Sequence, residues 1–345
     1  MLAMQVAVSR QFGHRLHGAP LPLADLVSDI PTTQRTGRHS GSWMALGRLS
    51  ATPRHAVPYG CRMMGPRDHC FGLFDMVSVE ELHIYPLKSA RGIAKSAIRL
   101  AATGFEWDRN WMITDNAGGF LSQRTDPNLA RIETHLAATG LTLRAPGLPA
   151  LELPFTLQGE VVSVRVWKDR CEGLDQGQAA SDWASAVLEK PVRLVRVPNM
   201  PKRVANPEYA GPQLAPVAFS DGFPILVCNR ASLDDLSARM PEPIPMGRFR
   251  PNIVLSGLEP FAEDRIASVR IGDVTLKLVK PCTRCVITST DQNTGERSTN
   301  PLPHLRQFRF DRKLLGVTFG ENAVVTDGFG ARIEQGAECV VTFDA

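Results

Sequence analysis

The sequence predicts a mostly-β protein with a few short helices, an α+β chain of two domains. Three observations predict it. Apolar residues alternate with a period of two over many short segments, those segments end at Gly, Pro and Asn, and one long Pro/Asn-rich stretch interrupts the pattern. A length of 345 residues is enough for two ordinary domains.

Ordered patterning begins at Met76. Val77-Ser-Val-Glu-Glu-Leu-His-Ile-Tyr85 reads as a strand, and Trp111-Met-Ile-Thr-Asp115 as a strand entering the turn Asn116-Ala-Gly-Gly119. Val161-Val-Ser-Val-Arg-Val-Trp167 alternates as a half-buried strand does. Trp183, Ala184, Val187 and Leu188 share one face of a helix expected over 179–189. Residues 196–218, rich in Pro and Asn, read as a domain connection. Ser232 with Asp235 three residues on predicts a capped helix running to Met240. Ala267–Ile271 and Val274–Val279 flank Gly272-Asp273 as a hairpin, and further strands are expected at Val286–Thr290, Ala323–Thr326 and Cys339–Phe343. So many short strands point to a closed or nearly closed β-barrel.

Charge narrows the function classes. Residues 1–76 hold eight arginines, no lysine and four acids, which is the entire net charge of +4. The remaining 31 basic and 31 acidic residues cancel. A neutral body lacks the clustered cations that replace phosphate counterions, so nucleic acid is not an expected partner. No apolar run approaches the length of a membrane span. The Arg-rich tail, weakly ordered by its composition, has the make-up of an organellar leader. The favoured expectation is instead that translation starts inside it, at Met76 or Met64.

Seven cysteines at irregular spacing, with no secretory signal, suggest a reducing compartment, here the cytoplasm. Cys282-Thr-Arg-Cys285 is the sharpest local feature. It sits between a strand ending at Lys280 and one expected from Val286. A structural zinc site, a redox pair, and a single thiolate on a soft metal with Arg284 beside it all stay open, as does a pair of inert, partly buried thiols. Three more segments place cations near turns. In Tyr85-Pro-Leu-Lys-Ser-Ala-Arg-Gly92, Lys88, Ser89 and the backbone amides toward Gly92 have the makings of a phosphate cradle. Asp108-Arg-Asn-Trp111 sets Arg109 before a strand. Phe249-Arg-Pro-Asn252 offers Arg250 and Asn252 as a fork and an amide. Singly, each is more often an exposed turn or a surface ion pair.

Taken in order, these segments resemble the MOSC superfamily with its N-terminal β-barrel companion domain, in particular the mitochondrial amidoxime-reducing components and their bacterial counterparts. The carrying motifs are Tyr85-Pro-Leu-Lys-Ser89, Gly104 through Asp108-Arg-Asn-Trp111, Phe219-Ser-Asp-Gly-Phe-Pro224, Arg248-Phe-Arg-Pro-Asn-Ile-Val254, Cys282-Thr-Arg-Cys-Val-Ile-Thr288, Asp291 and Thr294-Gly295. The resemblance spans about 77–345.

It implies two β-barrel-like domains, 77–196 and 197–345, with a molybdenum cofactor, a molybdopterin dithiolene, in the groove between them. By motif matching, Cys285 is the metal ligand. Lys88, Ser89, Arg109, Arg250, Asn252, Thr283 and Arg284 hold the cofactor. Ser220, Asp221 and Gly222 contribute from their loop, with Asp221 counted beside Cys285 among the catalytic residues. Gly222-Phe223 stands where animal relatives have small hydroxyl residues, so backbone contacts are expected there. The implied activity is reduction of N-hydroxylated small molecules. No flavin or nicotinamide fingerprint is present, and after the pair Cys339 is the sole cysteine, so no iron–sulfur cluster is expected. Electrons are therefore expected from an external ferredoxin-, flavodoxin- or cytochrome-type donor. The rival expectation is a non-catalytic cofactor carrier or sulfur-transfer module.

Overall fold

The computed structural model describes residues 76–344 apart from Gln213. The leader, the weak order and the internal start expected of the tail fall on residues outside that description. No helix of the described residues is long and apolar enough to cross a membrane.

One large mixed sheet carries the fold. Its strands are β1 (Ser78–Ile84), β2 (Ile93–Ala94), β3 (Ile225–Asn229), β4 (Ile253–Ser256), β5 (Ile266–Ile271), β6 (Val274–Thr283), β7 (Phe310–Asp311), β8 (Gly316–Asp327) and β9 (Cys339–Phe343). They run in the order β9-β5-β6-β8-β3-β4-β1-β2, with β7 paired to β8. The mostly-β expectation is met. β9 and β2 do not pair, but the start of β9 reaches back to β1 through the antiparallel bridge Ser78–Glu338 and the Cys339 N–H on the Val77 carbonyl at 2.8 Å, so an isolated bridge rather than a paired strand spans the gap. β3 and β4 pair in parallel and the other pairs are antiparallel. The expected hairpin at Gly272-Asp273 joins β5 to β6.

β1 comes from the first half of the sequence, yet it pairs with β4: Ser78 lies opposite Ser256 and Leu82 opposite Ile253. A bulge between Val79 and Glu81 shifts the alternation, so Val79, Leu82 and Ile84 all face the core. They pack there against Ile253, Leu255, Leu276 and Ala323. Each fully buried aliphatic chain of this kind is worth about 1.5–3 kcal/mol against exposure. A second core forms around Trp111, Ile113, Leu143, Trp183 and Leu194. Behind it, Trp111–Thr114 pairs with Arg193–Arg196, and the helix Gln178–Leu188 packs its Trp183 and Ala184 face inward. Its left-handed C-cap is Glu189.

Two local expectations fail for identifiable reasons. The helix expected from Ser232 instead spans Arg230–Ala238, capped by Asn229, whose side chain accepts from the Ala231 N–H. Ser232 is buried, donates to Glu263 at 2.8 Å and accepts from the Phe261 N–H at 2.7 Å. The strand expected at Val286–Thr290 is a 3-10 turn, Val286–Ser289. Thr288 and Ser289 return their hydroxyls to the carbonyls of Cys285 and Val286, which closes the turn.

Candidate functional site

The ends of β1, β3, β4 and β6 converge, and their loops, together with the Arg109 loop ahead of Trp111–Thr114, supply the site residues expected from the sequence. One cleft of about 160 Å³ is lined by Lys88, Ser89, Arg109, Ser220, Asp221, Gly222, Arg250, Asn252, Thr283, Arg284 and Cys285. Lys88 and Ser89 follow β1, Ser220 to Gly222 precede β3, Arg250 and Asn252 precede β4, and the Cys282–Cys285 segment closes β6. Pro281 lacks an N–H, and the β6–β8 register shifts between Pro281 and Thr283. That irregularity ends the regular ladder where the thiols begin.

Backbone strain gathers at this cleft. Ser89 (φ 69), Arg109 (φ 50) and Arg250 (φ 56) are non-glycine residues in the left-handed region. Each costs roughly 1–3 kcal/mol, and such strain persists at sites where neighbours over-determine it. Here Asn252 is one such neighbour. Its Oδ1 accepts from Arg109 Nη1 (3.1 Å) and the Leu226 N–H (3.1 Å), and its Nδ2 donates to the His83 carbonyl (3.2 Å). One amide thereby ties β1, β3 and the Arg109 loop together.

Tyr85 is the other organiser. Its ring lies between two guanidiniums, Arg109 at 4.3 Å and Arg250 at 4.2 Å from the centroid. Its backbone N–H donates to Asp108 and its hydroxyl to the Pro251 carbonyl. Asp108 is buried and pairs with Arg109 at 2.5 Å, so this is no surface ion pair. Gly92 serves the tyrosine: a Cβ there would stand 2.4 Å from the ring. The amides of Lys88, Ala90 and Arg91 are bonded within the protein, whereas those of Ser89 and Gly92 have no partner among the described residues, so of the expected cradle only these two amides stay available. An anion held here meets mainly side chains, with the Ser89 amide beside them.

Those side chains are mostly cationic. Lys88, Arg109, Arg124, Arg250 and Arg284 line the cleft against one carboxylate, Asp221. Burial lowers Arg250 to about 10, with Tyr85 opposing that and Arg109 adding to it. Among the described residues Arg250 bonds only to neutral oxygens, Ala90 O and Gln292 Oε1. Lys88 donates to Phe219 O (2.8 Å) and Asp221 Oδ1 (2.5 Å), leaving a third proton without a partner among the described residues. Burial pulls its ammonium below the ordinary lysine value, and Asp221 opposes that. Enclosure works against ionising Asp221, yet the charge and hydrogen bond of Lys88 outweigh it and hold the carboxyl well below its usual range. The Ser220 hydroxyl is buried with no partner among the described residues.

The two thiols differ. Arg284 Nη1 donates to Cys282 Sγ at 2.8 Å and its Nη2 to the Phe249 carbonyl, so the guanidinium turns toward Cys282. Cys285 sits in extended backbone at the head of the 3-10 turn and also lines the cleft. Among the described residues no three of His, Cys, Asp and Glu gather as metal ligands, so a four-ligand zinc centre has no set there.

Sequence reasoning missed three contributors. Arg203 is buried in the Pro/Asn-rich stretch and clamps the Asp221 loop, donating to the carbonyls of Ala218, Ser220 and Asp221 and to the Asp169 carboxylate. Arg124 lines the cleft and lies over the Trp167 ring at 4.4 Å. Neither arginine stands in any local pattern. Trp167 does carry a signal, because it occupies a two-residue hairpin loop where Asn or Gly is usual.

The model of the MOSC N-terminal beta barrel domain matches residues 76–191, and that of the MOSC domain matches residues 215–340. The mitochondrial amidoxime-reducing component 1 of Homo sapiens is 32% identical over 302 residues, 82% of this chain and 89% of that protein. Its counterpart from Mus musculus is 36% identical over 283 residues, 79% of this chain and 83% of that protein. A molybdenum cofactor sulfurase of Danio rerio is 30% identical over 263 residues, 70% of this chain but 31% of that protein.

Proposed function

This chain belongs to the MOSC family, with the N-terminal β-barrel domain ahead of the MOSC domain, and we propose that it is a molybdenum-cofactor-dependent oxidoreductase. Its substrates in this reading are N-hydroxylated or related N-oxygenated small molecules, and its electrons come from a separate redox protein. The observation that carries it is the donor set of the cleft: two half-buried thiols beside an excess of guanidinium and ammonium groups. Soft sulfur suits molybdenum, and the cations suit the phosphate and dithiolene of a pterin cofactor. The Ser220 hydroxyl, without a partner among the described residues, and the weakly compensated Arg250 are groups that a polar anionic ligand would satisfy.

In this reading Cys285 is the thiolate ligand. Lys88, Ser89, Arg109, Arg250, Asn252, Thr283 and Arg284 hold the cofactor, with Ser220 and Gly222 contributing from their loop. When bound, the group supplies a two-electron redox centre. The chain's own residues fix its position and the substrate's. Tyr85 keeps Arg109 and Arg250 in place, and Asn252, besides its own place in the cleft, fixes Arg109. Asp221 is held ionised near neutrality, which suits a hydrogen-bond acceptor rather than a proton donor. The residues 77–196 and 197–345 are proposed as the two domains. The expected compartment is a reducing one, and the mitochondrial names of the relatives set that organelle beside the cytoplasm.

Elemental analysis tests the core of this. Molybdenum is expected in the purified full chain, retained by Cys282→Ala and lost by Cys285→Ala, together with turnover of an amidoxime by a dye-reduced preparation. Zinc in place of molybdenum, or full activity in Cys285→Ala, refutes it. The similarity to a cofactor sulfurase favours a second reading, a cofactor carrier or sulfur-transfer module. That module would show no turnover and would either pass its cofactor to an apo-enzyme or carry an added sulfur mass on a cysteine.

A further inference from the structure

Trp167 and Lys168 form the whole loop between Val161–Val166 and Asp169–Asp175, since Asp169 pairs directly with Val166. Two-residue hairpins need left-handed backbone and favour Asn or Gly there. Trp167 takes that conformation (φ 57) and is 45% exposed. A large aromatic in strained backbone at a loop tip is not there for the turn or for a core, so the position of its ring asks for another cause.

The ring stands at the mouth of the cleft. The indole N–H donates to Asp221 Oδ1 at 3.1 Å, the same oxygen that accepts from Lys88. Asp221 Oδ2 accepts nothing among the described residues, and more than half of this side chain's surface is exposed. Phe120 meets the indole edge-on at 5.0 Å, and Arg124 covers its ring at 4.4 Å. Beyond Trp167 opens a groove of about 950 Å³ that shares Asp221, Gly222 and Phe223 with the cleft. Arg203 locks the hairpin to this loop, with Nε on Asp169 Oδ2 at 2.9 Å and Nη2 on the Asp221 carbonyl at 2.7 Å.

We propose that Trp167 and Asp221 form the substrate subsite at the junction of groove and cleft, Trp167 as the flat wall and Asp221 Oδ2 as the acceptor. The indole N–H and Lys88 both pull on Oδ1, which turns Oδ2 outward as a fixed acceptor. Lys88 and Arg124 already balance the carboxylate, so a cationic head group gains little there. The site selects a neutral, planar molecule that presents N–H or O–H donors beside its N–O bond. This rests on the reductase reading for the N–O bond, while the binding chemistry stands apart from turnover.

The test is calorimetric titration of benzamidoxime into the full-length purified protein, with no electron donor present and therefore no reduction. Trp167→Phe keeps a ring and loses the N–H, and binding weakens about tenfold, or about 1.4 kcal/mol. Trp167→Gly relieves the left-handed backbone, so its melting temperature holds or rises while binding falls further. Equal affinity in wild type and Trp167→Gly, or no binding by the wild type, overturns the subsite. Binding that is lost in Trp167→Gly, in a protein that reduces nothing when a donor is added, leaves the subsite standing and refutes the reductase reading. In an active protein the loss in Trp167→Phe falls on KM rather than kcat, and Trp167→Gly that keeps the wild-type KM counts against the subsite.

Discussion

Glu321 gives the sharpest quantitative handle on the wall behind the cleft. It is 4% exposed, its Oε1 has no partner among the described residues, and its β8 neighbour Asn322 lines the cleft. Burial pushes its carboxyl up to about 9, Asp264 and Glu263 add to that, and Arg309 opposes it. Arg309 is itself committed to Asp264, with Nη2 on Oδ1 at 2.8 Å. The folded state therefore keeps a proton that the unfolded chain releases near its ordinary value of 4.5. Between those two values the native state binds more protons, so stability falls as pH rises, by about 1.4 kcal/mol per unit. Glu321→Gln retains the shape and removes the titration. From pH 6 to pH 8 the variant should gain roughly 2.7 kcal/mol on the wild type. Urea unfolding followed by tryptophan fluorescence at several pH values measures this directly. A difference between the two proteins that stays constant from pH 6 to pH 8 refutes a neutral, buried Glu321.

Two further predictions concern the cleft itself. Gly92→Ala places a Cβ 2.4 Å from a tyrosine ring that two arginines and the Pro251 carbonyl hold in place. A loss of about 1–3 kcal/mol follows, read as a lower melting temperature, together with reduced molybdenum retention; an unchanged melt contradicts the sandwich. Asp221 titrates below its unfolded value, so its pairing with Lys88 contributes above about pH 4 and is lost as pH falls further. Since the carboxylate side is more than half exposed, the pair is worth only ~0–1 kcal/mol. Asp221→Asn should show a shallower loss of stability below pH 4 than the wild type, and parallel acid limbs would count against the pairing.

What the sequence made legible was local. The helix expected at 179–189 is Gln178–Leu188, and the Gly272-Asp273 hairpin stands where its punctuation put it. Both are set by periodicity and turn chemistry within a dozen residues. Ser232 misled because its hydroxyl belongs to Glu263 and Phe261, some thirty residues away, and a capping pattern cannot register such a competitor. The pairing of β1 with β4 joins residues 78–82 to 253–256 and leaves no trace in either segment alone.

The cleft was legible only through the order of its motifs. Taken singly, Lys88, Arg109, Arg250 and the cysteine pair each had an ordinary explanation as turn, ion pair or inert thiols. What removes those explanations is convergence. The arginines are buried or strained rather than solvated, and Asp108 is enclosed rather than at the surface. The residues that enforce this, Tyr85, Arg203 and Asn252, act through distances of one hydrogen bond across long stretches of sequence. Replacing an enforcer should therefore imitate loss of the residue it holds. Arg203→Gln is expected to weaken benzamidoxime binding as Asp221→Asn does, without touching the ligand. The double variant should lose little more than either single one. Additive losses would mean that Arg203 does not act through the Asp221 loop.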